Sequence, residues 1–171
     1  MIRFAALAII ALVTLGLPGC ALQPLYGSGE SSATVQALRS VSVAPIGGKA
    51  GWLMRNALND RLQAPRGEAA LYRLEVELDD QISGFGVRRD DAITRERRSL
   101  RARYRLIEVA QGSVVFDATA GSDAGIDVVG SEYATVAAEN SALERLTQTL
   151  ADQMIARIAL FAGRTAPARS K

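Results

Sequence analysis

The chain has 171 residues, with 20 Lys and Arg against 18 Asp and Glu for a net charge of +2, 49% hydrophobic residues, no histidine and one cysteine. This length suits one domain with a core of its own. Without His, the usual general base, the commonest transition-metal ligand and the centre of Ser-His-Asp and Cys-His sites are all missing. A lone Cys builds neither an internal disulfide nor a Cys/His zinc site, and the near balance of charge supplies no global field toward nucleic acid. The expectation is a protein with no metal, no cofactor and no nucleic-acid partner.

Residues 1–19 read as a signal peptide: Arg3 supplies the positive start, and the stretch FAALAIIALVTLGL is uncharged and apolar. A membrane-spanning helix needs roughly 20 apolar residues, and Gly16, Pro18 and Gly19 break this run before that length. Cys20 is either a free thiol in a discarded peptide or a lipidation site. Leu17-Pro18-Gly19-Cys20 resembles a bacterial lipobox, with Leu at −3 and a small residue at −1, although Pro18 replaces the usual Ala or Ser. The resemblance makes Cys20 the acylated mature N-terminus, and several acyl chains at roughly 0.8 kcal/mol per buried methylene anchor durably where one chain does not. Ala21 stands where Asp would mark inner-membrane retention, so the resemblance favours the outer membrane.

Residues 20–35 are rich in Gly, Ser and Pro and read as a tether. Residues 37–46 read as a strand ending at Pro45, on the alternation of Val41 and Val43. In residues 51–63, Met54, Leu58 and Leu62 lie four apart and predict an amphipathic helix that Pro65 and Gly67 terminate. Residues 71–83 alternate, with Tyr72, Leu74, Val76, Leu78 and Ile82 on one face and Arg73, Glu75, Glu77, Asp79 and Gln81 on the other. Residues 94–108 alternate likewise, Leu100, Ala102, Tyr104 and Leu106 against Arg95, Arg97, Ser99, Arg101, Arg103 and Arg105, and residues 112–121 add a further strand.

Ser131 is a plausible N-cap for a long helix running to Gly163, striped by Leu143, Leu146, Leu150, Met154, Ile158 and Phe161. The domain spans 36–162, and 163–171 is a flexible tail. The order βαβββα predicts an α+β two-layer sandwich: a four-stranded, mostly antiparallel sheet with two helices packed on one face and the other face wet.

A lipobox Cys followed by QPLYG, then VAPIGGKAGWLMRNALNDRL, then SEYATVAAENSALERL opening the last helix resembles the LptE (RlpB) family of lipopolysaccharide-assembly lipoproteins over essentially the whole mature chain. The resemblance implies a non-enzymatic protein, lipid-anchored at the outer membrane. Its domain would lie on the periplasmic side and within the lumen of an LptD-type β-barrel, which it plugs and helps to assemble while interacting with lipopolysaccharide.

The arginine-rich run VRRDDAITRERRSLRARYR is the strongest charge feature. If 71–83 and 94–108 form a hairpin, a register whose paired numbers sum to about 180 sets Glu75 opposite Arg105, Glu77 opposite Arg103 and Asp79 opposite Arg101. That is a structural role worth about 0–1 kcal/mol per exposed pair. Arg88, Arg89, Arg95, Arg97 and Arg98 remain near the tip, opposed by Asp90, Asp91 and Glu96, and are the candidates to touch lipopolysaccharide or the barrel, because guanidinium forks suit phosphates.

Trp52 and the Leu/Met stripe read as core, Asp79-Asp80 and Asp90-Asp91 as solvated acids, and Ser83-Gly84-Phe85-Gly86 lacks the length of a phosphate loop. Tyr133-Ala134 serves docking or packing equally well. Two other functions compete: an auxiliary lipoprotein of another envelope lipid-transport complex, and a membrane-tethered periplasmic hydrolase, which the missing His and the lack of a G-x-S-x-G elbow disfavour.

Overall fold

The computed structural model describes residues 33–64, 69–87, 93–128 and 130–165. Seven elements follow in order: α1 (Ala33–Arg39), β1 (Val41–Val43), α2 (Gly48–Leu62), β2 (Tyr72–Val87), β3 (Ile93–Glu108), β4 (Val114–Asp127) and α3 (Glu132–Thr165). The sheet order is β1-β2-β3-β4, with β1 parallel to β2 and the other two pairings antiparallel. The α+β class and mostly antiparallel sheet agree with the sequence pattern. The order gains a short leading helix.

That helix takes residues expected in the tether and the first strand. Leu38 is buried and α1 packs on α3, where Thr34 lies beside Gly163. The Ser40 hydroxyl closes α1 on the Ala37 carbonyl at 2.7 Å. Only Val41–Val43 then pairs as a strand, since Pro45 turns the chain toward α2. At that turn Gly51 packs so tightly that a Cβ would sit 2.6 Å from the Ile46 carbonyl oxygen.

The buried face of α2 consists of Met54, Ala57, Leu58 and Leu62. Trp52 is not core, contrary to expectation, and is 64% exposed. Two residues from Met54 it points about 200° around the helix from the buried stripe. Gln63 ends α2 in the left-handed region at φ 49°, its N–H donating to the Asn59 carbonyl.

Strands β2 and β3 hold one register from Tyr72↔Glu108 to Val87↔Ile93, every pair summing to 180 as the hairpin pattern predicts. Even-numbered residues face the helices and odd-numbered ones the open face, where Ile107, at the register shift after Leu106, is the buried exception among the described residues. The α3 helix has 34 residues, about 51 Å, and so matches the 16-residue strands at about 50 Å. It lies antiparallel to β4 and parallel to α2, tied to the latter by Lys49 to Asn140 and Arg61 to Asp152, each at 2.6 Å. Leu143, Leu146, Leu150, Met154 and Ile158 join Met54, Leu58, Leu74, Leu100 and Tyr104 in one core. Among the described residues no helix is long and apolar enough to cross a membrane.

Candidate functional site

The exposed sheet face arises from the odd-numbered positions of three long strands. Their alternation places a row of guanidinium groups on β3 between rows of carboxylates on β2 and β4. The expected hairpin register is present, yet the ion pairs distribute across both neighbours. Arg105 reaches Glu77 at 2.8 Å and Glu75 at 3.6 Å on β2. Arg103 instead binds Asp117 on β4 at 2.7 Å, and Arg101 forks onto Asp123, both oxygens at 3.0 Å. Arg95 pairs with Asp127 at 3.1 Å.

Sequence reasoning weighed only β2 as the source of carboxylates: the segment taken for β4 held Asp117, which was not weighed, and stopped at residue 121, before Asp123 and Asp127. Gly121 is the physical reason Arg101 leans toward β4. A Cβ there would come within 2.6 Å of Arg101 Cδ, so glycine lets the side chain lie across the strand and also reach the Ser122 carbonyl at 3.0 Å.

These contacts show in the titration of the face. The Arg103 guanidinium, hydrogen-bonded to Asp117, holds that carboxyl below the usual aspartate range, and Asp117 in turn raises Arg103. Asp123 is lowered by the Ser99 hydroxyl and then by Arg101. A depression of about 720 Å³ lies beside Leu78, Ala102 and Ala120 on the helix side, bordered by Gln153 and Arg157 of α3 and reaching Glu77, Asp79, Arg101 and Arg103 along the strands. The charges at its rim are already committed to partners outside it: Glu77 to Arg105, Arg101 to Asp123 and Arg103 to Asp117. Among the described residues no group of three His, Cys, Asp or Glu is placed to hold a metal.

The five tip arginines separate. Arg97 lies over the Phe85 ring, its guanidinium carbon 5.4 Å from the centroid, and meets no carboxylate in an ion pair among the described residues. Arg95 is exposed and paired. Arg98 belongs to the other face: it is even-numbered, 9% exposed, bonded to Asp80 through two nitrogens and to the Glu139 carbonyl of α3 at 2.9 Å. Its guanidinium is committed to the fold rather than presented to a ligand. Parity alone could have revealed it, since 80 and 98 share the side of Leu100 and Ala102. Arg88, Arg89 and Cys20 lie outside the described residues.

Tyr133 is 85% exposed and Val136 47% exposed, so the first turns of α3 are not explained by packing. Ser131 does cap the helix, its hydroxyl accepting from the Ala134 N–H at 3.5 Å.

Residues 38–158 match the family model described as LptE, lipopolysaccharide-assembly. A crystal structure from Caulobacter crescentus CB15 is similar over 80% of this chain and 100% of its own, at 25% identity and a TM-score of 0.68. The rare lipoprotein B of Shewanella oneidensis aligns over 72% of this chain and 95% of its own, at 10% identity and a TM-score of 0.57. A minor lipoprotein from Acinetobacter baumannii aligns over 71% and 89%, at 13% identity and a TM-score of 0.53. At those lower identities the likeness is one of fold. No match was found among curated protein sequences.

Proposed function

The chain belongs to the LptE lipopolysaccharide-assembly family, and from that premise we propose that it is a non-enzymatic outer-membrane lipoprotein. It is anchored through Cys20, plugs and assists the assembly of an LptD-type β-barrel, and takes part in lipopolysaccharide transport to the cell surface.

The observation that carries this reading is the self-neutralised sheet face. A free basic surface would bind any polyanion, whereas here Arg101, Arg103 and Arg105 are each held by carboxylates of the same sheet. Such a face stays hydrated without a strong net field and suits the polar, water-lined interior of a large barrel.

Against that background Arg97 stands apart, a guanidinium resting on an aromatic ring and in no ion pair among the described residues. A phosphorylated, acylated glycolipid offers both partners this pair can use: phosphate for the cation and acyl chain for Phe85, which is 40% exposed. Arg97 is the first contact we assign to lipopolysaccharide, with Arg95 beside it and Arg88 and Arg89 contributing from the same hairpin.

Mild detergent extraction followed by affinity purification tests the partner: recovery of a stoichiometric LptD-type barrel is expected, and another envelope complex in its place would overturn the reading. Mass spectrometry of the mature N-terminus should find Cys20 acylated. Charge reversal at Arg95 and Arg97 should weaken salt-sensitive lipopolysaccharide binding, and unchanged affinity would remove them from the site.

A further inference from the structure

We propose that the free edge of β2, from Val76 to Ile82, is a docking strand for an extended segment of a protein partner whose residues alternate between apolar and basic. The strand outruns its neighbour. Val43 pairs with Leu74, the Ala44 N–H donates to the Leu74 carbonyl at 2.9 Å, and Pro45 then carries the chain away into α2, while β2 continues to Val87. Among the described residues nothing pairs with β2 on that side beyond this bond.

The register tells which groups point outward. The Tyr72 N–H donates to Ser40 and the Leu74 carbonyl accepts from Ala44, both on the β1 side. In an antiparallel pair successive residues alternate their main-chain groups between the two sides, and the β2–β3 register runs unbroken through this stretch. The N–H and C=O of Val76, Leu78, Asp80 and Ile82 therefore point away from β3, four donors and four acceptors set for an added strand.

The side chains specify the partner. On the wet face the edge presents Glu77 and Asp79, and the Asp79 carboxylate meets the Gln81 amide at 3.1 Å but no cation among the described residues. On the helix face it presents Val76 and Leu78, both half-buried against the core, then Asp80, whose carboxylate is taken by Arg98, and Ile82, 44% exposed. A strand laid here would set every second side chain over an apolar surface and the intervening ones beside carboxylates.

A second copy of this chain fits poorly. Its own edges carry acids on the wet face, Glu75, Glu77 and Asp79 on β2 and Asp117, Asp123 and Asp127 on β4, so edge-to-edge pairing would oppose carboxylate to carboxylate. The arginines that could answer them sit on β3, at the centre of the sheet, apart from Arg73 of β2, which already holds Glu75 at 3.2 Å. The edge uses main-chain groups and carboxylates of β2, not the arginines assigned to lipopolysaccharide, so the two readings stand or fall separately.

The test uses the whole chain and a short, end-capped Val-Lys repeat peptide, compared with an isomer in which all Val precede all Lys. The repeat should bind about tenfold more tightly than the block isomer and should slow hydrogen exchange at the amides of Val76, Leu78, Asp80 and Ile82. Ile82→Pro removes one outward N–H without breaking the ladder to β3, and Asp79→Lys reverses the unmatched charge; each should weaken binding about tenfold. Should Ile82→Pro disturb the fold, Asp79→Lys and the exchange pattern of the unsubstituted protein still decide. Equal binding of the two isomers, protection along β4 instead of β2, or full affinity in Asp79→Lys would overturn the proposal.

Discussion

Arg98 and Asp80 form a two-point ion pair on the helix side of the sheet, Nη2 to Oδ2 at 2.5 Å and Nε to Oδ1 at 2.8 Å. The guanidinium spends its remaining reach on the Glu139 carbonyl. The hydrogen bond to Asp80 raises Arg98 above its usual value, with burial acting against it. One side chain thus joins β2, β3 and α3.

Because the two side chains keep only 11% and 23% of their surface, removing one partner strands a poorly hydrated charge. Asp80→Ala should cost about 2–3 kcal/mol, less than the loss of a fully buried pair since water still reaches the site. The double change Asp80→Leu with Arg98→Met should recover most of this, as an apolar pair of similar volume leaves no charge behind. Urea midpoints of Asp80→Leu, Arg98→Met and the double close the cycle; a double variant as unstable as the sum of those two singles would refute the explanation.

On the opposite face the pairs act through pH. Asp117 and Asp123 are both lowered in the folded chain, by Arg103 and by Ser99 with Arg101 respectively. A carboxyl held lower in the fold than in the unfolded chain stabilises above its unfolded value of about 3.9, and that stability is lost as pH falls through the lowered folded value. Asp117→Asn with Asp123→Asn should therefore be modestly less stable than the parent at neutral pH. The gap should shrink as pH drops below about 4. Thermal melts across that range check the sign, and a gap independent of pH would show that the hydrogen bonds, rather than the charges, are at work.

Two glycines should respond oppositely to the same added methyl group. At Gly51 a Cβ would meet the Ile46 main chain, with carbonyl oxygen and carbon at 2.6 and 2.7 Å, so the turn into α2 must move. Gly51→Ala should lose about 1–3 kcal/mol despite alanine's better helix propensity. At Gly121 the obstacle is the Arg101 side chain, which can swing aside. Gly121→Ala should cost under about 1 kcal/mol while releasing the Arg101–Asp123 pair. Denaturant midpoints measure the first difference, and the Asp123 titration, moved back toward the ordinary range, reports the second.

How much of this was readable beforehand depends on the length of each periodic signal. The hairpin register could be deduced because alternation over some fifteen residues leaves one parity and the charges choose the offset. Val41 and Val43 gave only two apolar positions, too few to separate a three-residue strand from the helix before it, where Leu38 is placed by α3 rather than by local pattern. Trp52 was misjudged by residue type, although its distance from Met54 already put it on the far side of the helix. Arg98 was grouped by sequence proximity with Arg95 and Arg97, although its parity matched Leu100. The stacking of Arg97 on Phe85 needed the hairpin to continue past residue 83, where Gly84 and Gly86 masked the strand.

Tyr104 poses the last question, since its ring is wholly buried against Phe116, centroids 5.9 Å apart, and its buried hydroxyl oxygen has no hydrogen-bond partner within reach among the described residues. Burial raises its ionisation above the ordinary phenol value even though the Arg157 guanidinium acts in the opposite sense. Arg157 donates one hydrogen bond to the Thr119 carbonyl, which draws the guanidinium toward β4 beside the phenol. A buried hydroxyl without a partner costs about 1–3 kcal/mol of desolvation, and deleting it leaves the ring's packing intact. Tyr104→Phe should therefore be neutral or stabilising by up to about 1 kcal/mol, and should remove from the ultraviolet pH titration a phenol held above the ordinary range. A loss of stability instead would show that the hydroxyl does bond Arg157 in solution, making that arginine a tie between α3 and β3 as well as β4.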